Sequence, residues 1–291
     1  MKATYGGEAK EAVKIGVIST YFSDYIFPSI VTGIERVLAK NNTSIWLSTT
    51  RDMAYEETRA LREMLSQNVS GLIVEPSKSA LPNPNTELYD EIRKRGIPLV
   101  FFNTKYPWAD FPCVAMDDVA AGYIVTKHLI SQGHRKIAGI FTFDDMQGHS
   151  RYQGFMKAFE ENDIADAEKR VLWYSTNDRV TMFESSRARI IELLKGSTAV
   201  VCYNDSLAVS LLDFCGKEGY KVPADISVTG IDDSKLATVC EPRLTTARHP
   251  QQKLGEATAT LLIEMLRSGS NTADDIIFAP KLIERKSTKK I

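Results

Sequence analysis

The stretch GHRKIAGIFTFDDMQGHSRYQGF, residues 133–155, decides how this chain is to be read. Its first half contains a short apolar run of strand length, KIAGIF. Its second half leads into Tyr152, Phe155, Met156 and Phe159, which recur at helical spacing, so one face of that helix is expected to be buried against a sheet. Ser150 stands where an N-cap belongs, which puts Arg151 in the first turn, where free backbone N–H groups favour acids over bases. An arginine there either lies in solvent or has something electron-rich beside it.

The strand-then-helix pattern recurs along almost the whole chain. Upstream it gives KIGVIS (14–19), a helix over 27–41, SIWLST (44–49), a helix over 55–68, GLIVEP (71–76), a helix over 86–96, IPLVFFN (97–103), a brief strand around Cys113 to Ala115 and a helix over 117–133. A second series follows the opening strand and helix: RVLWYS, a helix over 180–196, TAVVCYN, a helix over 206–219 and ISVTGID. Near-continuous apolar strands joined by helices imply parallel sheets covered on both faces, and two series imply two doubly wound α/β lobes. RLTTARHP then leads into a long helix, 251–269, and two short strands, IIFAP and KLIERKS. If that helix packs on the first lobe and the last strands return to the second, one lobe comprises 13–114 plus 248–275 and the other 115–247 plus 276–291, with a hinge of several crossing segments. Residues 1–12 are polar, precede the apolar patterning and read as a linker or remnant outside the fold.

The bulk numbers exclude several classes of function. With 43% apolar residues among 291, the chain can build ordinary cores. Its 36 basic and 37 acidic residues leave a net charge of -1, which gives no overall footprint for a polyphosphate backbone or an anionic membrane. Cys113, Cys202, Cys215 and Cys240 form no CxxC pair and read as buried reduced thiols, hence a cytoplasmic address. No apolar run approaches a bilayer span, and the first residues lack the apolar core of a signal peptide. There is no GxGxxG after a strand, no GxxxxGK[ST] and no GxSxG. His128, His134, His149 and His249 show no metal-ligand spacing. The neighbouring acids 117/118, 144/145 and 232/233 do not by themselves make a catalytic pair. No catalytic residue, metal or cofactor is expected, and the chain is not read as an enzyme.

In open α/β sheets ligands bind beyond the carboxyl ends of the strands. There the sequence places Ser19, Tyr21, Phe22, Asp24 and Tyr25, then Glu75, Asn103 and Lys105, and later Trp173, Tyr174, Tyr203, Asn204, Asp205, Asp232 and Asp233. Flat rings beside bidentate polar groups suit a small polyhydroxylated molecule, and Arg151 would then face its oxygens. Blander roles stand beside this one. Asp205 and Asp233 precede helices and would cap them; Tyr21, Phe22 and Tyr25 would be core or interlobe packing; Lys105 would be a solvated charge. Glu75, closing an apolar strand, needs a partner of some kind.

VKIGVIS, GLIV, GIPLVFFN, VAMDDVAAG, GHRKIAGI, RYQGF, VVCYND, VPADISVTGIDD and PRLTTARHP, in this order, resemble the effector-binding core of the LacI/GalR family of bacterial transcription regulators, over about residues 13–289. The resemblance implies the type I periplasmic-binding-protein-like fold, two lobes that close on a small ligand with three crossovers. It carries ligand positions onto Arg151, Asn204, Asp232 and Asn103, where the family commonly has an acid instead of Asn103. Strand-end placement adds Tyr25, Glu75, Lys105 and Tyr203. FFNTKYP, YFSDYIF and CYND are most similar to arabinose-responsive repressors of Gram-positive bacteria, which implies L-arabinose as effector, operator DNA bound only through an N-terminal domain that does not precede Val13, and a homodimer with helices near 27–39 and 206–216 as contributors. A sugar carrier serving a membrane permease and a sugar-modifying α/β enzyme are the competing expectations.

Overall fold

A computed structural model describes residues 13–23 and 25–291; the reading of residues 1–12 as a linker, and Asp24, lie outside them. In chain order the elements are β1 (Lys14–Ser19), α1 (Phe27–Lys40), β2 (Ser44–Thr49), α2 (Ala54–Ser66), β3 (Gly71–Val74), α3 (Thr86–Lys94), β4 (Leu99–Phe102), β5 (Cys113–Met116), α4 (Asp118–Ser131), β6 (Ile137–Thr142), α5 (Met146–Glu160), β7 (Val171–Tyr174), α6 (Met182–Ser185), α7 (Arg187–Lys195), β8 (Ala199–Cys202), α8 (Asp205–Lys217), β9 (Ser227–Asp232), α9 (Lys235–Val239), β10 (Thr245–Arg248), α10 (Gln251–Ser268), β11 (Ile276–Phe278) and β12 (Lys281–Ile283).

Two six-stranded sheets result, ordered β2-β1-β3-β4-β5-β11 and β7-β6-β8-β9-β10-β12. All pairings are parallel except β10 with β12, which is antiparallel. The strand sequences explain this. GLIV, LVFF, CVAM and AVVC are buried throughout, as only strands covered on both faces can be. In each sheet the order reverses beside the first strand, between β1 and β3 and between β6 and β8, so each lobe has a crevice at the carboxyl ends of those strands.

The lobes are linked at three places: β5 to α4, β10 to α10 and β11 to β12. Helix α10 packs on β3, β4, β5 and α1 of the first lobe. β11 pairs with β5, so the boundary expected at 275/276 falls later, between Phe278 and Lys281. Likewise the first crossing comes after Met116 and not after residue 114. Edge strands of three or four residues carry too little pattern to declare their sheet; pairing decides it.

Two local expectations fail for identifiable reasons. The helix carrying Arg151 begins at Met146, capped by Asp145, whose carboxylate accepts from Gln147 N, so Ser150 is an interior residue and Arg151 lies in the second turn. The single helix expected over 180–196 is broken at Ser186 into α6 and α7.

Candidate functional site

The crevices of the two lobes face each other across a cleft of about 850 Å³. From the first lobe it is lined by Tyr21, Tyr25, Asp52, Glu75 and Asn103; from the second by Gln147, Arg151, Thr176, Tyr203, Asn204 and Asp232. Most of these stand at or just beyond a strand end, where the topology requires a ligand site.

Arg151 is the electrostatic centre. It is buried, and its Nε donates to Asp118 Oδ1 (2.8 Å), Nη1 to the Tyr203 carbonyl (2.7 Å) and Nη2 to Asp232 Oδ1 (3.2 Å). The Tyr203 ring stacks on the guanidinium at 4.7 Å. Its electron-rich neighbours are therefore protein carboxylates, and one N–H on each terminal nitrogen has no protein partner among the described residues. What brings α5 close enough is a pair of glycines: a Cβ on Gly122 would stand 2.0 Å from the Arg151 carbonyl, and one on Gly154 1.9 Å from the Val119 carbonyl. Asp118 sits in the first turn of α4, directly across this contact.

Asp232 ends β9 at a positive φ of 114° and is buried. Burial pushes its carboxyl up to about 6, against the pull of Arg151 and the hydrogen bond from Tyr25. Tyr25, itself at φ 60°, reaches from the first lobe to donate to Asp232 Oδ2 (2.6 Å), and its hydroxyl accepts from Asp205 N (3.1 Å). Tyr203 donates to Asp145 (2.6 Å). Asn204 is the N-cap of α8, its Oδ1 accepting from Leu207 N at 2.9 Å, which leaves its amide N–H groups for the cleft.

On the opposite wall Glu75 is buried and accepts four hydrogen bonds. Thr20 N (2.9 Å), Thr20 Oγ1 (2.5 Å) and Ser19 Oγ (3.0 Å) bind Oε2, and Asn103 Nδ2 binds Oε1 (2.7 Å). Burial nevertheless raises its carboxyl to about 7. Asn103, at φ 64°, keeps a buried Oδ1 with no partner among the described residues.

Three expectations are corrected. Lys105 does not line the cleft; it pairs with Asp275 at 2.5 Å in a half-exposed surface bridge. Asp205 is not a cap, since Asn204 fills that role; its carboxylate accepts from Ser234 N and Thr246 Oγ1, and burial followed by the nearby Asp232 lifts it to about 8. Asp233 caps nothing and instead pairs with Arg248 and Arg285.

Sequence reasoning missed a second interlobe contact. Lys78, a non-glycine residue at φ 49°, sends its amine from the first lobe to Asp144 Oδ2 (2.6 Å) and Thr176 of the second and to Asp52 Oδ2 (3.2 Å) of its own. Thr176 Oγ1 donates to Asp52 (2.7 Å), and Ser79 Oγ to Asp145 (2.6 Å). Burial opposes the ionisation of Asp144, but hydrogen bonds from Lys78, Thr142, Ser175 and Thr176 outweigh it and hold the carboxyl down at about 2. The acids at 144/145 are visible in sequence; Lys78, in a loop without periodicity, is not.

Among the described residues no group of three or more His, Cys, Asp and Glu side chains is placed to hold a metal, and no helix is long and apolar enough to cross a membrane.

Two facing parallel lobes, a triple crossing and a cleft with an arginine held between two carboxylates define a two-lobed small-molecule receptor. The family model of the periplasmic binding protein-like domain matches residues 126–288, and the chain belongs to that family, in the branch that forms the effector-binding core of LacI-type transcription regulators. It is 41% identical to the arabinose metabolism transcriptional repressor of Geobacillus stearothermophilus over 98% of this chain and 79% of that protein. It is 39% identical to the repressor of the same name from Halalkalibacterium halodurans, over 94% and 75%. The solved structure of a LacI family regulator from Enterococcus faecium with bound ribose superposes with a TM-score of 0.82 at 25% identity, covering 96% of this chain and 99% of that one. These relatives are regulators and not enzymes.

Proposed function

We propose that this chain senses L-arabinose in the interlobe cleft and transmits lobe closure to a DNA-binding partner segment, as part of a cytoplasmic repressor. The observation that carries the reading is the set of cleft groups left incomplete by the protein: two N–H groups of Arg151, the amide N–H groups of Asn204 and the buried Oδ1 of Asn103. Donors on one wall and an acceptor on the other suit a compact molecule whose hydroxyls both give and take hydrogen bonds. Tyr25, Tyr203 and Asp232 complete the surround, and the identity of the named relatives supports arabinose over other sugars.

Closure is favoured by ligand only to the extent that the closed form binds it better. A homodimer fits the exposed apolar side chains of edge strand β2, Trp46 at 36% and Leu47 at 53% exposure, beside α1. The test is isothermal titration with L-arabinose, D-galactose, D-xylose and D-ribose, with Arg151→Ala alongside. Saturable binding of L-arabinose alone, lost in the variant, supports the reading; binding of another sugar replaces the arabinose assignment, and no binding at all removes the sugar-sensing one.

A further inference from the structure

The strand-end position of Glu75 suggests a ligand contact, but its two oxygens already accept four hydrogen bonds from Ser19, Thr20 and Asn103. Three of the donors converge on Oε2, and the bond on Oε1 comes from Asn103. That bond fixes its neighbour. The Asn103 amide has a donor end and an acceptor end of nearly the same shape. With Glu75 ionised and Nδ2 at 2.7 Å from its Oε1, the reverse orientation would set two acceptors against each other at that distance. Nδ2 is therefore committed to Glu75, and Oδ1 is the end left on the cleft wall, buried and without a partner among the described residues. A buried acceptor in that condition calls for a donor from outside the protein. The same geometry favours an amide over an acid at position 103: an aspartate there would bring a second carboxylate to hydrogen-bond distance of the first, and the two could not both ionise.

We propose that Glu75 is a positioning residue that sets the hydrogen-bonding sense of the cleft, holding Asn103 so that it presents an acceptor, and not a donor, to a hydroxyl of the bound sugar. This rests on the sugar-sensing reading above. It follows that Glu75→Gln, an exchange of one oxygen for an NH2 group beside Asn103, reverses the wall. The introduced amide keeps its oxygen for Thr20 and Ser19 and turns its nitrogen towards Asn103, which flips to accept from it and offers N–H groups to the cleft. Adding Asn103→Asp restores the acceptor, because the introduced carboxylate takes that amide N–H with one oxygen and faces the cleft with the other.

The experiment is calorimetric titration of the wild-type chain, Glu75→Gln and Glu75→Gln/Asn103→Asp with L-arabinose at pH 8.5, each variant first checked for cooperative thermal unfolding. The expected result is a loss of about tenfold or more in affinity for the single variant and recovery to near the wild-type value in the double variant. Wild-type binding with an unchanged single variant overturns the inference while leaving the sugar site standing. So does a folded double variant that binds as weakly as the single one, since that is the behaviour of a residue needed only for structure. If Glu75→Gln does not fold, the double variant alone carries the test, and its failure to bind overturns the proposal. A wild-type chain that binds no sugar removes the parent reading and this inference together.

Discussion

Arg151 shows how a single residue can be indispensable to both fold and site. Its guanidinium pairs with both Asp118 and Asp232, each buried, and its removal strands both. Breaking one side of a buried ion pair costs about 3–5 kcal/mol, so Arg151→Leu should lower the urea-unfolding free energy by roughly that amount besides abolishing ligand binding; a loss below about 1 kcal/mol would contradict the pairing. Glu75 allows a sign to be predicted. Burial raises its pKa from 4.5 to about 7, so the folded protein holds that proton more tightly than the unfolded chain. Its contribution to stability is fully present below pH 4.5 and is lost as pH rises through 7. Relative to Glu75→Gln, the wild-type melting temperature should therefore fall as pH increases across that window, and a rise would refute the burial argument. Asp232 shifts in the same direction, whereas His249, held down at about 3 by burial and by Arg151, works the opposite way between about 3 and 6.5. Comparing wild type with a single-site variant cancels both.

At the scale of elements, the α4–α5 contact positions the ligand-facing arginine. Two helices approach closely enough for Arg151 to meet Asp118 because Gly122 and Gly154 present no side chains to the opposing backbone. Gly154→Ala would put a methyl group 1.9 Å from the Val119 carbonyl, in a rigid backbone that must move as a whole. Overpacking of this kind costs about 1–3 kcal/mol, and the displaced helix should also weaken sugar binding; denaturant unfolding and titration of the same variant measure both. Strand and helix order in this region is readable from residues 133–159 because an apolar run followed by a 3.6-residue period has one interpretation. The start of α5 is not, because two candidate caps stand within six residues, Asp145 and Ser150; Asp145 takes the role, and Gly148 in the first turn lies so close to the Thr142 carbonyl that a Cβ there would stand 2.0 Å from it.

For the whole molecule, contacts that hold the two lobes in their present relation include the Tyr25–Asp232 hydrogen bond and the Lys78, Asp52, Asp144 and Thr176 cluster. Lys78→Met leaves the buried Asp144 and the partly buried Asp52 facing each other across the lobes, so the present arrangement should lose population. An increase in the radius of gyration by small-angle scattering without sugar, with an apparent affinity reduced by about threefold or more, is the expected result; unchanged scattering and affinity would show that the cluster does not bear on closure. Because ligand binds the folded form, sugar at about 100 times its Kd should stabilise the chain by about 2.7 kcal/mol, measurable as a shift of the unfolding midpoint.

The sequence by itself determined the alternation of strands and helices, the two-lobed parallel architecture and most of the cleft, because periodicity and strand ends are local properties and the topology of a parallel sheet sends its strand-end residues to one place. It also singled out Arg151, Asn103, Asn204, Tyr203 and Asp232. Only the tertiary structure decided who meets whom. Asp118 lies 33 residues from Arg151, and Lys78 lies 66 from Asp144; Lys105, close in sequence to Asn103 on the cleft wall, turns to Asp275 on the surface. Ion pairs, amide orientation and the lobe to which a three-residue strand belongs are fixed by distance through space. No local spacing in the chain encodes that distance.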